Sequence, residues 1–178
     1  MSIEVEVRSF VSEKKYNELL AFFKKNSEFV NEDDQITYYF DCEQDLRIQK
    51  NNFFSKIWLK KGRIHDDQRE ELEIRFARDD FEKLEQLFLT LGFKVEIKWF
   101  RKRHTFRWQD IDVMVDFTKG YGHIIELEKK CAEKEKDKIL TLLKERMNTL
   151  KIPLTPREEF EKQYEHYRKN WRKLTGEK

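Results

Sequence analysis

The chain has 178 residues, with 37 lysines and arginines against 35 aspartates and glutamates, a formal net charge of +2. That length fits one domain, residues 1–178, with a sizeable core, and the balanced charge argues against a nucleic-acid-binding protein, which carries a clear basic excess. Charged residues make up 40% and aromatics 14%, so the chain folds, and its surplus charge has to lie on the surface or in a polar interior.

Ile3 to Phe10 reads as a strand. Within it Glu4, Glu6 and Arg8 alternate with Val5 and Val7, so the charged residues share one face and the valines the other. Ser12 is placed to cap a helix over residues 13–26, with Tyr16, Leu19, Leu20 and Phe23 as its apolar stripe. Asn31 to Gln35 reads as a polar turn. Ile36 to Asp41 and Leu46 to Gln49 are short strand candidates. Phe53 to Lys61 alternates, with Lys56, Trp58 and Lys60 opposite Ile57 and Leu59. Gly62 to Gln68 reads as a polar loop. Glu70 to Ala77 alternates again, with Glu71, Glu73 and Arg75 opposite Leu72, Ile74 and Phe76.

A helix from Asp79 or Asp80 ends near Gly92, a C-terminal glycine. Phe93 to Trp108 is a long β-type run, followed after a tight turn by Asp110 to Phe117. Gly120 and Gly122 mark a bend before a strand over His123 to Lys129. Two helices close the chain, over 133–150 and 157–173, with Pro156 at the first turn of the second. Tyr164, Tyr167 and Trp171 recur at helical spacing and are expected to pack that helix on the barrel.

This order predicts an α+β fold whose largely antiparallel sheet, near eight strands, can close into a barrel with helices packed outside. Cys42 and Cys131 form neither a metal-type pair nor a disulfide framework, which suits a reduced, cytoplasmic setting. No apolar run is long enough to span a bilayer, and the N-terminal residues read as strand rather than signal peptide, so no membrane role is expected.

One-sided charge recurs along the chain. Besides Glu4, Glu6 and Arg8, single faces collect Glu71, Glu73 and Arg75, then Arg101 and Arg103, then Asp112 and Asp116, then Glu126 and Glu128. Charges outside a dry core produce this pattern. So does a charged lumen whose apolar outer faces are covered by amphipathic helices. The second arrangement requires that the buried charges pair, hydrate or hold ligands. His104 and His123 have the opposite parity to their charged neighbours and are not read as ligands, and Asp112 reads as a surface residue beside a turn.

The ordered set of motifs resembles the CYTH superfamily, the triphosphate tunnel metalloenzymes, which includes class IV adenylyl cyclases, thiamine triphosphatases and inorganic triphosphatases. Glu4-x-Glu6-x-Arg8 resembles its E-x-E-x-K opening. Tyr39-Phe40-Asp41, Leu46-Arg47-Ile48, Trp58 to Gly62, and Arg69 to Glu73 follow in the family's order. Arg101, Arg103 and Phe106 resemble K-x-R-x-x-Y. Asp116 with Gly120-Tyr121-Gly122 and Glu126-Leu127-Glu128 resembles its closing glycine and E-x-E block, the most specific match. Three positions depart from the pattern: Arg8 stands for lysine, Gln49 for the second arginine of L-R-x-R, and Arg101 for lysine. No His-Phe pair precedes Glu4, which tilts the reading from cyclase toward phosphohydrolase.

The resemblance implies an eight-stranded tunnel that binds a triphosphate and a divalent cation, Mg²⁺ or Mn²⁺. It implies metal ligation by Glu4, Glu6, Asp116, Glu126 and Glu128. It implies phosphate binding by Arg8, Arg47, Lys60, Arg75, Arg101 and Arg103, with Glu71 and Glu73 in support. Glu4, Glu6 and Arg8 form the implied catalytic strand, although a guanidinium at position 8 is poorly suited to accept a proton. The substrate class is tripolyphosphate, thiamine triphosphate or another small organic triphosphate. The alternatives are a class IV adenylyl cyclase acting on ATP and a non-catalytic polyphosphate- or nucleotide-binding module.

Overall fold

The structure is a computed structural model that describes residues 2–60 and 71–177, and the side chains of all of these except Ser2, Lys60 and Glu71. The predicted polar loop at Gly62 to Gln68, and the motif residues Lys61, Gly62, Arg69 and Glu70, lie outside the described residues.

Eight strands form one sheet: β1 (Ser2–Val11), β2 (Glu28–Phe40), β3 (Asp45–Lys50), β4 (Ser55–Lys60), β5 (Glu71–Phe76), β6 (Val95–Trp108), β7 (Ile111–Thr118) and β8 (Gly122–Ala132). The helices are α1 (Glu13–Asn26), α2 (Phe81–Thr90), α3 (Lys136–Thr149) and α4 (Arg157–Thr175). The spatial order is β1-β8-β7-β6-β2-β3-β4-β5, and every pairing is antiparallel. The α+β class and the eight antiparallel strands agree with the sequence reading. The sheet curls around a lumen, but its ladder is open: among the described residues β1 and β5 are its two edges and are not paired with each other.

Local chemistry sets several boundaries. The Ser12 side chain accepts from the Lys15 N–H at 3.2 Å and starts α1, a contribution of about 1 kcal/mol. Gln109 and Asp110 both have positive φ, which gives the two-residue turn that joins β6 to β7 in register. Gly176 in the left-handed region ends α4. The run at Asn31 to Gln35 is strand rather than turn. It lies inside β2, where its acids face the basic run of β6: Asp33 opposite Arg103, and Asp34 opposite Lys102. Lys102 Nζ reaches Glu32 at 2.9 Å and Asp34 at 3.6 Å, so cross-strand charge pairing overrides the turn composition.

Two apolar layers cover the outside. One packs α1 and α3 on β1, β6, β7 and β8 through Val5, Val7, Phe23, Phe106, Leu127 and Leu143. The other packs Phe81, Leu84 and Phe88 of α2 against Phe40 and Ile48. Fully burying each such side chain stabilises the fold by about 1.5–3 kcal/mol. The fourth helix takes a different place. Tyr167 and Trp171 of α4 pack with Tyr39, Ile97 and Trp99, which share the strand faces of the charged residues, so α4 lies across one end of the lumen and not on the outer wall. Tyr167 Oη donates to the Lys98 carbonyl and Trp171 Nε1 to the Glu96 carbonyl, both at 2.8 Å, fixing the helix on β6.

Candidate active site

Because Val5 and Val7 belong to the outer apolar layer, strand alternation turns Glu4, Glu6 and Arg8 inward. The same logic holds on the other strands. All eight contribute to one cavity of about 580 Å³, including Gln35 and Tyr39 from β2, Arg47 and Gln49 from β3, Lys56 and Trp58 from β4, and Glu73 from β5. On the opposite wall stand Arg101 and Arg103 of β6, Asp116 of β7, and Glu126 and Glu128 of β8. Phe160 and Tyr164 of α4 complete the lining at the covered end. The charged faces therefore look at one another across a lumen, and the arrangement with a dry interior is excluded.

Apart from Glu73, which pairs with Lys56 and Arg75, the lumen carboxylates fall into two groups. Glu4, Glu6 and Glu128 each place one oxygen within 4.8 Å of the others, a donor set able to hold a metal ion. Burial, then the neighbouring charges of Glu4, Glu126 and Glu6, push the Glu128 carboxyl up to about 8. Asp116 and Glu126 gather instead around a guanidinium. Arg103 donates to Asp116 from Nη2 at 2.7 Å and from Nε at 3.0 Å, and reaches Glu126 at 3.4 Å. Burial opposes the Arg103 charge, but Asp116 and Glu126 outweigh it and hold its pKa above the ordinary value. Arg101 Nε lies 3.6 Å from the same Asp116.

The cations differ in how they are held. Arg47 is bound by both oxygens of Asp45, with Nε 2.6 Å from Oδ1, and its guanidinium sits 4.3 Å over the Tyr39 ring. Lys56 Nζ contacts Glu73 at 2.7 Å and the Trp58 ring at 4.3 Å. Arg8 sits 4.7 Å over the Phe160 ring. Arg75 stands apart: its side chain is 65% exposed, pairs with Glu73 at 2.7 Å, and is not part of the cavity lining. The side chains of Lys60 and Glu71 lie outside the described residues. Gln49, in the place of an expected arginine, donates to Thr37 Oγ1 at 3.0 Å. His104 and His123 are on the outer side, where both rings meet Tyr16, and Asp112 pairs with Arg107 at 2.8 Å.

The sequence reading did not single out Gln35, Tyr39, Trp58, Trp99, Tyr121, Lys130 or Tyr164 as site residues, and the structure places all of them in the lining. For Trp58 and Trp99 the signal was present. Each shares its strand parity with a lumen cation, Lys56 in one case and Arg101 in the other. Gln35 was hidden by the turn assignment of its segment.

A profile of the CYTH domain matches residues 2–164. A protein of Methanocaldococcus jannaschii, named as a candidate adenylate cyclase, is 32% identical over 163 residues, covering 84% of this chain and 90% of its own. Among solved structures, a conserved protein of Pyrococcus furiosus superposes with a TM-score of 0.70 at 24% identity, covering 86% of this chain and 96% of that one. A Hippeastrum candidate adenylyl cyclase, described as having a dominant triphosphatase activity, superposes with a TM-score of 0.64 at 18% identity, covering 86% and 89%.

Proposed function

The chain belongs to the CYTH domain family, and on that premise we propose that it is a divalent-metal-dependent triphosphatase that hydrolyses inorganic triphosphate or a small organic triphosphate inside the lumen. One observation carries the reading: Glu4, Glu6 and Glu128 converge within 4.8 Å on the same cavity that Arg101, Arg103 and Lys56 line. Carboxylate oxygens alone make a hard donor set that suits Mg²⁺ or Mn²⁺. The raised Glu128 carboxyl fits the same assignment, since crowded carboxylates gain most from a cation between them.

In this reading Glu4, Glu6 and Glu128 hold the ion. When bound, it supplies Lewis-acid stabilisation of the charge that develops on the phosphoryl oxygens. Asp116 positions Arg103 by hydrogen bonds from its Nε and Nη2, so that the remaining guanidinium donors and those of Arg101 face the phosphate chain. Glu126, beside Arg103, limits how far that cation can swing toward the carboxylate cluster. Arg8 and Lys56 add charge from the neighbouring walls, each steadied by an aromatic ring. Arg47 has its charge met by Asp45 and acts as a rigid part of the wall.

A second reading is favoured by the name of the Methanocaldococcus relative: an adenylyl cyclase that converts ATP to cyclic AMP and pyrophosphate. Incubation with tripolyphosphate, thiamine triphosphate and ATP, each with Mg²⁺ or Mn²⁺, separates the readings. Orthophosphate release is the expected result. Cyclic AMP with pyrophosphate would replace the first reading by the second, and binding without turnover would leave a non-catalytic polyphosphate-binding module.

A further inference from the structure

We propose that the fold holds a second binding site, a side cavity between β1, α3 and α4 that takes a small organic anion, and that its occupant weakens phosphate binding in the lumen by engaging Arg8. The ligand class is one carboxylate or phosphate group on an apolar body about the size of a single ring. The site itself is independent of the triphosphatase reading; its effect on turnover rests on that reading.

The side cavity has a volume of about 180 Å³, against about 580 Å³ for the lumen. Strand β1 is an edge of the sheet among the described residues, so it borders what lies beside the sheet as well as the lumen. Val7, from its outer face, and Phe160 of α4 form an apolar floor, at 7% and 4% exposure. Leu140 of α3 and Leu154 of the connector between α3 and α4 extend that floor into a wall. Hydrogen bonds pin the connector on β1. Thr155 Oγ1 accepts from the Phe10 N–H at 2.9 Å, the Thr155 N–H donates to Ser9 Oγ at 3.0 Å, and Ser9 Oγ donates to the Pro153 carbonyl at 2.6 Å. The cavity is thus pre-formed, with walls from a strand, two helices and a fixed connector.

The charge of the lining is nearly of one sign. Lys144 stands one helical turn from Leu140 on α3, Arg157 one turn before Phe160 on α4, and Arg8 comes from β1. Glu6 is the one carboxylate among the described lining residues. Lys144 has no ion-pair partner among the described residues. Arg157 Nε pairs with Glu161 at 2.9 Å, but both side chains are about half exposed, and such a surface pair is worth little. An apolar floor under a rim of cations suits a ligand that is anionic at one end and apolar in the rest. A cavity of about 150 Å³ can hold benzene. About 180 Å³ therefore admits a ring or a short chain with its anionic group at the rim, and is too small for a nucleoside triphosphate.

Glu6, Arg8 and Phe160 line both cavities. The Phe160 ring stacks on Phe10 at 4.5 Å and carries the Arg8 guanidinium at 4.7 Å, so Arg8 stands at the wall between the two spaces. An anion in the side cavity draws on the same guanidinium charge that would face a phosphate chain in the lumen. Two ligands that compete for one cation oppose each other, and by linkage each weakens the other by the same factor.

The test uses the full chain and phenyl phosphate, which joins a phosphate group to one ring, with inorganic phosphate and benzyl alcohol as its two halves. Calorimetry gives Kd for wild type, for Lys144→Met and Leu154→Trp, which change the side cavity, and for Lys56→Met, which changes the lumen. Phenyl phosphate should bind wild type more tightly than either half. Lys144→Met and Leu154→Trp should each raise its Kd about tenfold, the first by removing a charged donor and the second by filling the cavity, while Lys56→Met leaves it unchanged. In turnover of tripolyphosphate with Mn²⁺, phenyl phosphate should raise KM in wild type and much less in Lys144→Met. No binding of phenyl phosphate, equally tight binding of inorganic phosphate, or a Kd that responds to Lys56→Met and not to the side-cavity variants would overturn the site. Lys144-dependent binding that leaves KM for tripolyphosphate unaltered would overturn the coupling through Arg8. A chain that turns over no triphosphate but binds phenyl phosphate in a Lys144-dependent way would overturn the triphosphatase reading and leave the site standing. Lys144 and Leu154 are both exposed, and if one variant fails to fold the other still decides.

Discussion

Arg103 and Asp116 sit directly opposite each other on β6 and β7 and are joined inside the lumen by hydrogen bonds from Nη2 at 2.7 Å and from Nε, shared between both carboxylate oxygens, at 3.0 and 3.2 Å. Asp116 is 2% exposed, so its charge is met by that guanidinium rather than by water. The pair sets Asp116 and Glu126, which engage the Arg103 guanidinium, apart from Glu4, Glu6 and Glu128, which converge elsewhere in the lumen.

Asp116→Ala leaves Arg103 buried without its main partner. Breaking a buried ion pair from one side costs about 3–5 kcal/mol. Denaturant unfolding should show a loss of that order, and any variant protein that remains folded should bind tripolyphosphate more weakly, since Arg103 is no longer held in place. An unfolding free energy equal to wild type would contradict the role given to the pair.

Glu6→Gln removes one charged oxygen from the three that converge. Mn²⁺ affinity, followed by calorimetry, is expected to fall about tenfold or more, with turnover lost alongside. Asp112→Asn is the control. Asp112 is bound to Arg107 and does not line the cavity, so its change should leave both quantities near wild type.

The carboxyl of Glu128 gives a pH signature in the metal-free protein. Its ordinary value is 4.5, and in the fold it is pushed up to about 8 by burial and then by Glu4, Glu126 and Glu6. The folded state thus binds a proton that the unfolded state has already released. The stability contributed by that proton is present below 4.5 and is lost as pH rises to about 8. The difference in thermal stability between wild type and Glu128→Gln should change across this window, with wild type losing ground as pH rises. Saturating Mn²⁺ should remove most of the loss. A difference that stays flat across the window would argue against the assignment.

Gly120→Ala tests the covered end of the lumen. At φ +75° a side chain is strained, and an added Cβ would lie 2.7 Å from Leu174 Cβ in α4. A destabilisation of about 1–3 kcal/mol is expected. Unchanged stability would mean that α4 does not hold the place described for it.

Much of this was legible in the chain because β-structure has a period of two. Glu4, Glu6 and Arg8 against Val5 and Val7 gave both the strand and the face, and the helices supplied the apolar partners that turn such faces inward. The segment Asn31 to Gln35 was misread because Asn and Asp dominate turns by local hydrogen bonding. Its true state depended on Arg101, Lys102 and Arg103, residues far away in sequence that lie across the ladder. The complementary acidic and basic runs were the available signal. The position of α4 was not legible, since Tyr167 and Trp171 show only that a helix face is buried and not which side of the sheet buries it. The split between metal-type and arginine-bound carboxylates was hidden for the same reason. Asp116 and Glu126 have the same chemistry as Glu6 and Glu128, and only the register across β6, β7 and β8 assigns their partners.

The central claim is that a divalent cation and a triphosphate share the lumen, with the cation on Glu4, Glu6 and Glu128. The most direct measurement is an anomalous-difference map from crystals grown with Mn²⁺ and tripolyphosphate. The account predicts a Mn²⁺ peak bounded by those three carboxylates, with the phosphate chain running from it toward Arg101 and Arg103. Mn²⁺ bound elsewhere with the three carboxylates empty, or a triphosphate held outside the lumen, would contradict it.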